Sequence, residues 1–282
     1  MSGITPALDH VVISVAENLD AAKEQYRKLG FALTARGHHS HGSSNHLAVF
    51  GNNYMELLGY EPQNKERLPS SFIVYRGLSG LAFKTENAEE LYHSLHERGI
   101  VLEGEPKVFF RPVTLPDGTT PPVHFHTLRL NPAATPNGRV FFCRHLNPGL
   151  TYRDEWRSHP NGVVSVARVV IEAADPAKSI RLLRDVFPED SFTKISGGER
   201  LDAGGIPIDY LSPEAAREEF GEHLEPRAVS GDRKIALGLR VRSGEAAMRA
   251  LTQGGISFKL QEDGRLLVPA QQAFGVVLTF NE

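Results

Sequence analysis

Short runs of β-branched and apolar residues alternate along this chain with segments whose apolar residues recur every three or four positions. The first run, Leu8 to Val15 (LDHVVISV), reads as a strand. Asn18 then supplies a helix N-cap. Leu19, Ala22, Tyr26 and Leu29 follow at helical spacing, and Gly30 ends the helix. Phe31 opens a second extended run. Residues 35–46, ARGHHSHGSSNH, are polar and broken by glycine, so a mobile loop is expected there. His46–Phe50 and Tyr54–Leu58 make the third and fourth strands around a tight turn at Gly51-Asn52-Asn53.

This frame of strand, helix and three strands returns. Gly80–Thr85 is a strand, Asn87 and Glu90 form a box-like helix start, and Leu91 and Leu95 mark the helix face before Gly99. After a proline-rich connection from Arg111 to Pro122 come VHFHTLRL and RVFFCRHL, joined by a turn carrying Asn137-Gly138. A third copy starts near Val166, with Asp175-Pro176 opening its helix and IPIDYL as its last strand. A fourth starts near Ile235, with a helix from Ser243 to Gly254 and the strands ISFKL, LLVPA and GVVLTF. The copies begin roughly 70, 90 and 70 residues apart, too long and too few for a solenoid. An α+β chain of four βαβββ modules is therefore expected, paired into two domains at 1–150 and 163–282. The stretch 151–162, within a segment rich in Pro, Gly, Asn, Arg and His, is the expected linker.

Composition narrows the classes of function. The 282 residues are 40% hydrophobic and 23% charged with a net charge of −3, and the basic residues are dispersed. Nothing in this balance points to nucleic acid or to a membrane surface. No apolar run approaches the ~20 residues of a spanning helix, and MSGITPALDH lacks the pattern of a signal peptide. The one cysteine, Cys143, fits a reducing compartment, so a cytoplasmic protein acting on a small molecule is expected. No glycine-rich phosphate loop after a strand, G-x-S-x-G elbow or C-x-x-C pair is present.

A βαβββ unit that opens with LDHVVI and closes with YMELL resembles the vicinal oxygen chelate (glyoxalase/bleomycin resistance/dioxygenase) superfamily, and more narrowly its glyoxalase-like domain proteins. FFCRH followed by HPNGV is similar to a stretch of that same group. The resemblance implies that paired modules form an open, glyoxalase-like barrel whose concave side holds a divalent metal and a substrate. It also implies that each module offers a His or Gln from its first strand and a Glu from its last. His10 and Glu56 match those positions in the first module. The second offers Gly80 and Phe142, the third Arg168 and Asp209, and the fourth Ala236 and about Leu278. The C-terminal barrel is thus expected to be degenerate, with Arg168 and Asp209 forming a salt bridge where a metal would lie.

Imidazole and carboxylate suit Zn, Mn, Fe or Ni, and two protein ligands need a third. His124 and His126 share one strand face, so His126 is the expected third ligand beside His10, with His145 as the alternative. Glu56 is the expected catalytic group, as ligand or base. Arg129 and Arg144 are candidates to orient an anionic substrate, with Phe142 and His145 beside them. Against this stands the reading of His10 as a buried imidazole bonded to a neighbour. Cys143 is expected in the core, and the HHSH segment in solvent. Two functions follow. One is a metal-dependent isomerase, lyase or dioxygenase acting on an oxygen-rich molecule. The other is a non-catalytic binding protein whose cavity is lined by Phe109, Phe110, Phe125, Phe141 and Phe142. A homodimer completing the site across its interface is a further expectation.

Overall fold

The computed structural model describes residues 4–68, 76–135, 138–226 and 231–282. Two eight-stranded sheets account for its architecture, each built from two modules. In the first module, β1 (Leu8–Ala16) leads through α1 (Leu19–Lys28) to β2 (Gly37–His38), β3 (Ser43–Val49) and β4 (Tyr54–Tyr60). The second runs β5 (Gly77–Lys84), α2 (Ala88–Glu97), β6 (Lys107–Pro112), β7 (Pro122–Arg129) and β8 (Arg139–His145). Asn87 caps α2 through its side chain, accepting from the Glu89 and Glu90 amides. β1 and β5 pair antiparallel at the centre, giving the order β2-β3-β4-β1-β5-β8-β7-β6. The two edges then meet. The Ser40 amide donates to the Phe110 carbonyl at 2.9 Å, which draws the loop after β2 onto β6 and curls the sheet into a barrel.

The second sheet repeats the order with β9 (Val163–Glu172), β10 (Phe192–Ile195), β11 (Gly198–Asp202), β12 (Pro207–Leu211), β13 (Arg233–Val241), β14 (Lys259–Leu260), β15 (Leu266–Val268) and β16 (Val277–Asn281). Its helices are α3 (Pro176–Ser179), α4 (Arg181–Val186), α5 (Pro213–Phe220) and α6 (Gly244–Gln253). The convex faces of both sheets contribute to one continuous apolar core, which runs from Val11, Phe83 and Phe142 to Phe187, Leu237 and Phe280. The halves approach closely. A Cβ on Gly254 would stand 1.8 Å from the Lys28 carbonyl oxygen, so only glycine lets the end of α6 lie on the end of α1.

Several expectations change here. The run opened by Phe31 forms no strand before Gly37. The segment expected as a mobile loop holds β2 and the start of β3, and much of it is buried. The connection expected from Arg111 to Pro122 begins inside β6, a strand the prolines had hidden. Asn137 of the expected turn lies outside the described residues. Residues 151–162 are no bare tether, since Thr151, His159 and Asn161 are all buried.

Phe142 is the clearest correction. Val140 and Phe142 alternate with Arg139, Phe141 and Cys143 along β8, so Phe142 turns to the convex core. There its ring lies 6.0 Å from those of Phe83 and Phe187. It occupies neither the Glu56 position nor the cavity wall. Phe142→Ala is accordingly expected to cost about 3–5 kcal/mol of stability through the cavity it leaves. Chemical denaturation measures this, and a loss under about 1 kcal/mol would contradict the placement.

Candidate functional site

A cleft lies on the concave side of the first sheet. Side-chain alternation fills it strand by strand. β1 contributes His10 and Val12, β3 Asn45, β4 Tyr54 and Glu56, β6 Phe109 and Arg111, β7 Phe125, Thr127 and Arg129, and β8 Arg139, Phe141 and Cys143. Asp9 breaks the alternation. The register between β1 and β5 slips between Leu8 and His10, so Asp9 and His10 reach the same side.

That irregularity creates the central hydrogen-bond cluster. One Asp9 oxygen lies 2.7 Å from His10 Nδ1 and 3.0 Å from His145 Nε2, and the other accepts from the Tyr152 hydroxyl at 2.8 Å. Burial alone would raise the Asp9 carboxyl pKa. The neighbouring His145, together with hydrogen bonds from His10 and His145, overrides burial and holds it far below the usual carboxylate range. An ionised carboxylate only accepts, so both facing ring nitrogens carry protons. His10 is thereby fixed with Nδ1–H toward Asp9 and its Nε2 toward the cleft. Its ring stacks on Tyr54, 4.3 Å between centroids, and meets Phe141 edge-on.

His10 Nε2 stands 3.9 Å from one Glu56 oxygen. The other Glu56 oxygen lies 3.9 Å from His39 Nε2 and accepts from Asn45 Nδ2 at 2.6 Å. His39 and His41 stack at 5.1 Å and pack edge-on against Phe109. Burial pushes the His39 pKa down, with His41 and Arg111 adding to the effect. Burial, with Arg129 and Arg139, takes His41 down to about 4. Both rings are neutral at pH 7. A second group of donor atoms, from Asp9, His10, Cys143 and His145, lies within 4.8 Å of one another. Burial, aided by Asp9 and Glu56, raises the Cys143 thiol, so it stays protonated there.

The remaining expected site residues scatter. His126 faces outward, 3.3 Å from Glu89 on α2, and His124 lies over Phe110 on the same outer face. Neither approaches His10, because the cleft-facing residues of β7 are Phe125, Thr127 and Arg129. Arg144, paired in register with His126, is exposed on that side too. Arg129 lines the cleft and lies 3.5 Å from Glu103. His145 joins the cluster through Asp9. Among the described residues the concave side of the second barrel is occupied by ion pairs: Arg168 donates to Asp209 at 2.7 Å, and Glu219 of α5 binds Arg168 and Arg265. Ala216 and Phe220 of α5 pack on Val170, Ile235 and Val277 and plug the concavity.

His39 and His41 line the cleft rather than lying in solvent as expected, and Asp9, Arg111 and Tyr152 carried no assignment in the sequence. The alternation of Phe109 and Arg111 along β6 was a legible strand signal, whereas His39 and His41 lie in the turn after β2. The slip that turns Asp9 inward, and the return of Tyr152 from a connection, left no local mark.

A family model described as a glyoxalase-like domain matches residues 8–187. Among curated proteins none matches the sequence. The fold is similar to that of a hypothetical protein from Staphylococcus aureus, with a TM-score of 0.68, 12% identity and 98% of each chain covered. It is also similar to a mutant 4-hydroxymandelate synthase from Streptomyces coelicolor, with a TM-score of 0.60, 11% identity, and 98% of this chain and 92% of that one covered. A xylose isomerase-like TIM barrel/4-hydroxyphenylpyruvate dioxygenase fusion protein aligns at a TM-score of 0.52 and 12% identity, over 99% of this chain and 50% of that one. No helix among the described residues is long and apolar enough to cross a membrane.

The depressed histidines give a pH dependence of definite sign. Between pH 6.5 and about 4 the unfolded chain takes up a proton at His41 that the folded chain refuses, and His39 acts in the same direction. The melting temperature of the metal-free protein should fall as pH drops through this window, and His41→Asn should flatten the fall. A melting temperature constant from pH 7 to 4 would contradict the neutral, buried placement.

Proposed function

This chain belongs to the glyoxalase-like domain family of the vicinal oxygen chelate superfamily, and from that premise we propose that it is a metal-dependent enzyme acting on a small oxygen-rich molecule in the first barrel. The observation that carries this reading is His10. A buried carboxylate holds its Nδ1, and its Nε2 faces Glu56 at 3.9 Å across the cleft. Metal-ligating histidines are oriented in this way by a carboxylate behind the ring.

The donor set fits a divalent ion. His10 Nε2, Glu56 and the neutral His39 would hold it, two imidazoles and a carboxylate of the kind that binds Zn, Mn, Fe or Ni. The Asp9, His10, Cys143 and His145 group fits less well, because two of its ring nitrogens carry protons bonded to Asp9 and its thiol is protonated. When bound, such an ion supplies Lewis acidity toward a substrate carbonyl or enediolate. The chain's own groups do the rest. Asn45 engages one Glu56 oxygen and leaves the other facing His10, to serve either as metal ligand or as base for a substrate proton. Tyr54 and Phe141 fix the His10 ring by stacking and by edge contact. Isomerase, lyase and dioxygenase chemistry all suit this frame.

One observation favours a second reading, a non-catalytic binding protein. Among the described residues the second module offers the cleft Cys143 and His145 but no carboxylate. Elemental analysis of untagged protein separates the two readings. Near-stoichiometric metal is expected in the wild type, with loss of most of it in His10→Ala and Glu56→Gln and retention in Cys143→Ser and His126→Ala. Loss in Cys143→Ser would move the ion to the Asp9 group, and a metal-free wild type that still binds ligand would establish the binding protein.

A further inference from the structure

We infer that the ligand of this cleft is a small carboxylate anchored by Arg111, an inference that rests on the cleft being a substrate site and names its substrate class. Arg111 is 1% exposed and lines the cleft from β6. Its Nε and Nη2 are buried and have no hydrogen-bond partner, and no carboxylate lies within 4.0 Å of it among the described residues. A guanidinium cannot shed its charge to relieve this; Glu56 acts on it only from a distance, and a buried charge without a directly bonded counter-ion is among the most unfavourable features a fold can keep. The surroundings are nonetheless built for it. One face lies 5.9 Å from the centre of the Phe125 ring. Gly37 provides the room, since a Cβ there would come within 3.0 Å of Arg111 Cδ and Nη1.

The geometry also selects the anion. Nε–H and Nη2–H project side by side from one edge of the guanidinium, which makes a two-pronged donor matched to the two oxygens of a planar carboxylate. A tetrahedral phosphate is usually gathered by donors from several directions. Asn45 adds an orphaned acceptor, its buried Oδ1, which suits a substrate hydroxyl or amide proton. Phe109, Phe125 and Phe141 give the rest of the molecule an apolar seat. A compact organic acid with a flat, apolar body and an oxygen beside its carboxylate satisfies all of these features. Arg129 has Glu103 as a partner, so the role expected of it in the sequence passes to Arg111.

Benzoate, its neutral isostere benzamide and inorganic phosphate are suitable probes, titrated calorimetrically into the purified, metal-replete protein. Benzoate should bind, with benzamide and phosphate at least tenfold weaker. Arg111→Lys keeps the charge without the fork and should lose at least tenfold in benzoate affinity, as should Arg111→Met. Arg111→Met should also melt no lower than the wild type without ligand, because it removes an unpaired buried charge; a purely structural arginine would give the opposite shift. Should Arg111→Met not fold, Arg111→Lys decides. The assignment is overturned if wild type shows no benzoate binding, if benzoate and benzamide bind alike, if either variant binds benzoate as wild type does, or if phosphate rather than benzoate depends on Arg111. Metal content measured on the same samples keeps the two readings apart. A metal-free protein whose benzoate affinity depends on Arg111 defeats the metal reading alone, and a metal-replete protein indifferent to Arg111 defeats the carboxylate alone.

Discussion

A buried carboxylate gripped by three donors organises this molecule's chemistry. Asp9 has exchanged water for His10, His145 and Tyr152, which come from the first strand, the eighth strand and the connection beyond it. A carboxylate in that position is tolerable only while all its donors are in place, so it ties three distant stretches into one geometry. Its effect on His10 is directional. The ring nitrogen toward Asp9 carries the proton, and the ring is stacked flat on Tyr54, so the second nitrogen is presented to the cleft at a fixed angle. Glu56, His39, Asn45 and Arg111 surround the space in front of it.

The two barrels share strand order and register but have spent their concave faces differently. Arg168 and Asp209 stand two residues and one strand apart in the register that relates His10 to Glu56, since Val12 pairs with Glu56 and Val170 with Asp209. In the second barrel these positions carry opposite charges and neutralise one another, with Arg200 adding a second clamp on Asp209. Helix α5 then closes the space with Ala216 and Phe220. The first barrel keeps the space open and retains within it an arginine, Arg111, whose Nε and Nη2 have no hydrogen-bond partner among the described residues. Natural sites commonly hold such unfavourable groups where a ligand completes them.

The strand and helix frame was legible because apolar periodicity is a local property. Asn87, Asp175 and Ser243 cap helices where their sequence positions indicate. The Arg168–Asp209 pair was also accessible, since it needed only the module repeat. What the sequence withheld was phase. On β7 and β8 a one-residue error exchanges His126 for Thr127 and Phe142 for Phe141, which moves a residue from cleft to core or surface. A second class of error came from closure. The HHSH segment reads as solvated until the Ser40–Phe110 hydrogen bond brings it against β6 and leaves the His39 side chain 8% exposed. Asp9 belongs to neither class, for its inward turn comes from a register slip between β1 and β5.

Asp9 presets the His10 ring, holding Nδ1–H and turning Nε2 to the cleft. Long-range proton–nitrogen NMR on the metal-free protein tests it most directly, because the two ring nitrogens of a histidine report separately whether each is protonated. In the wild type Nδ1 of His10 should carry a proton, and this preference should be lost in Asp9→Asn. A His10 with a bare Nδ1, or one unchanged by Asp9→Asn, would show that Asp9 does not set the ring.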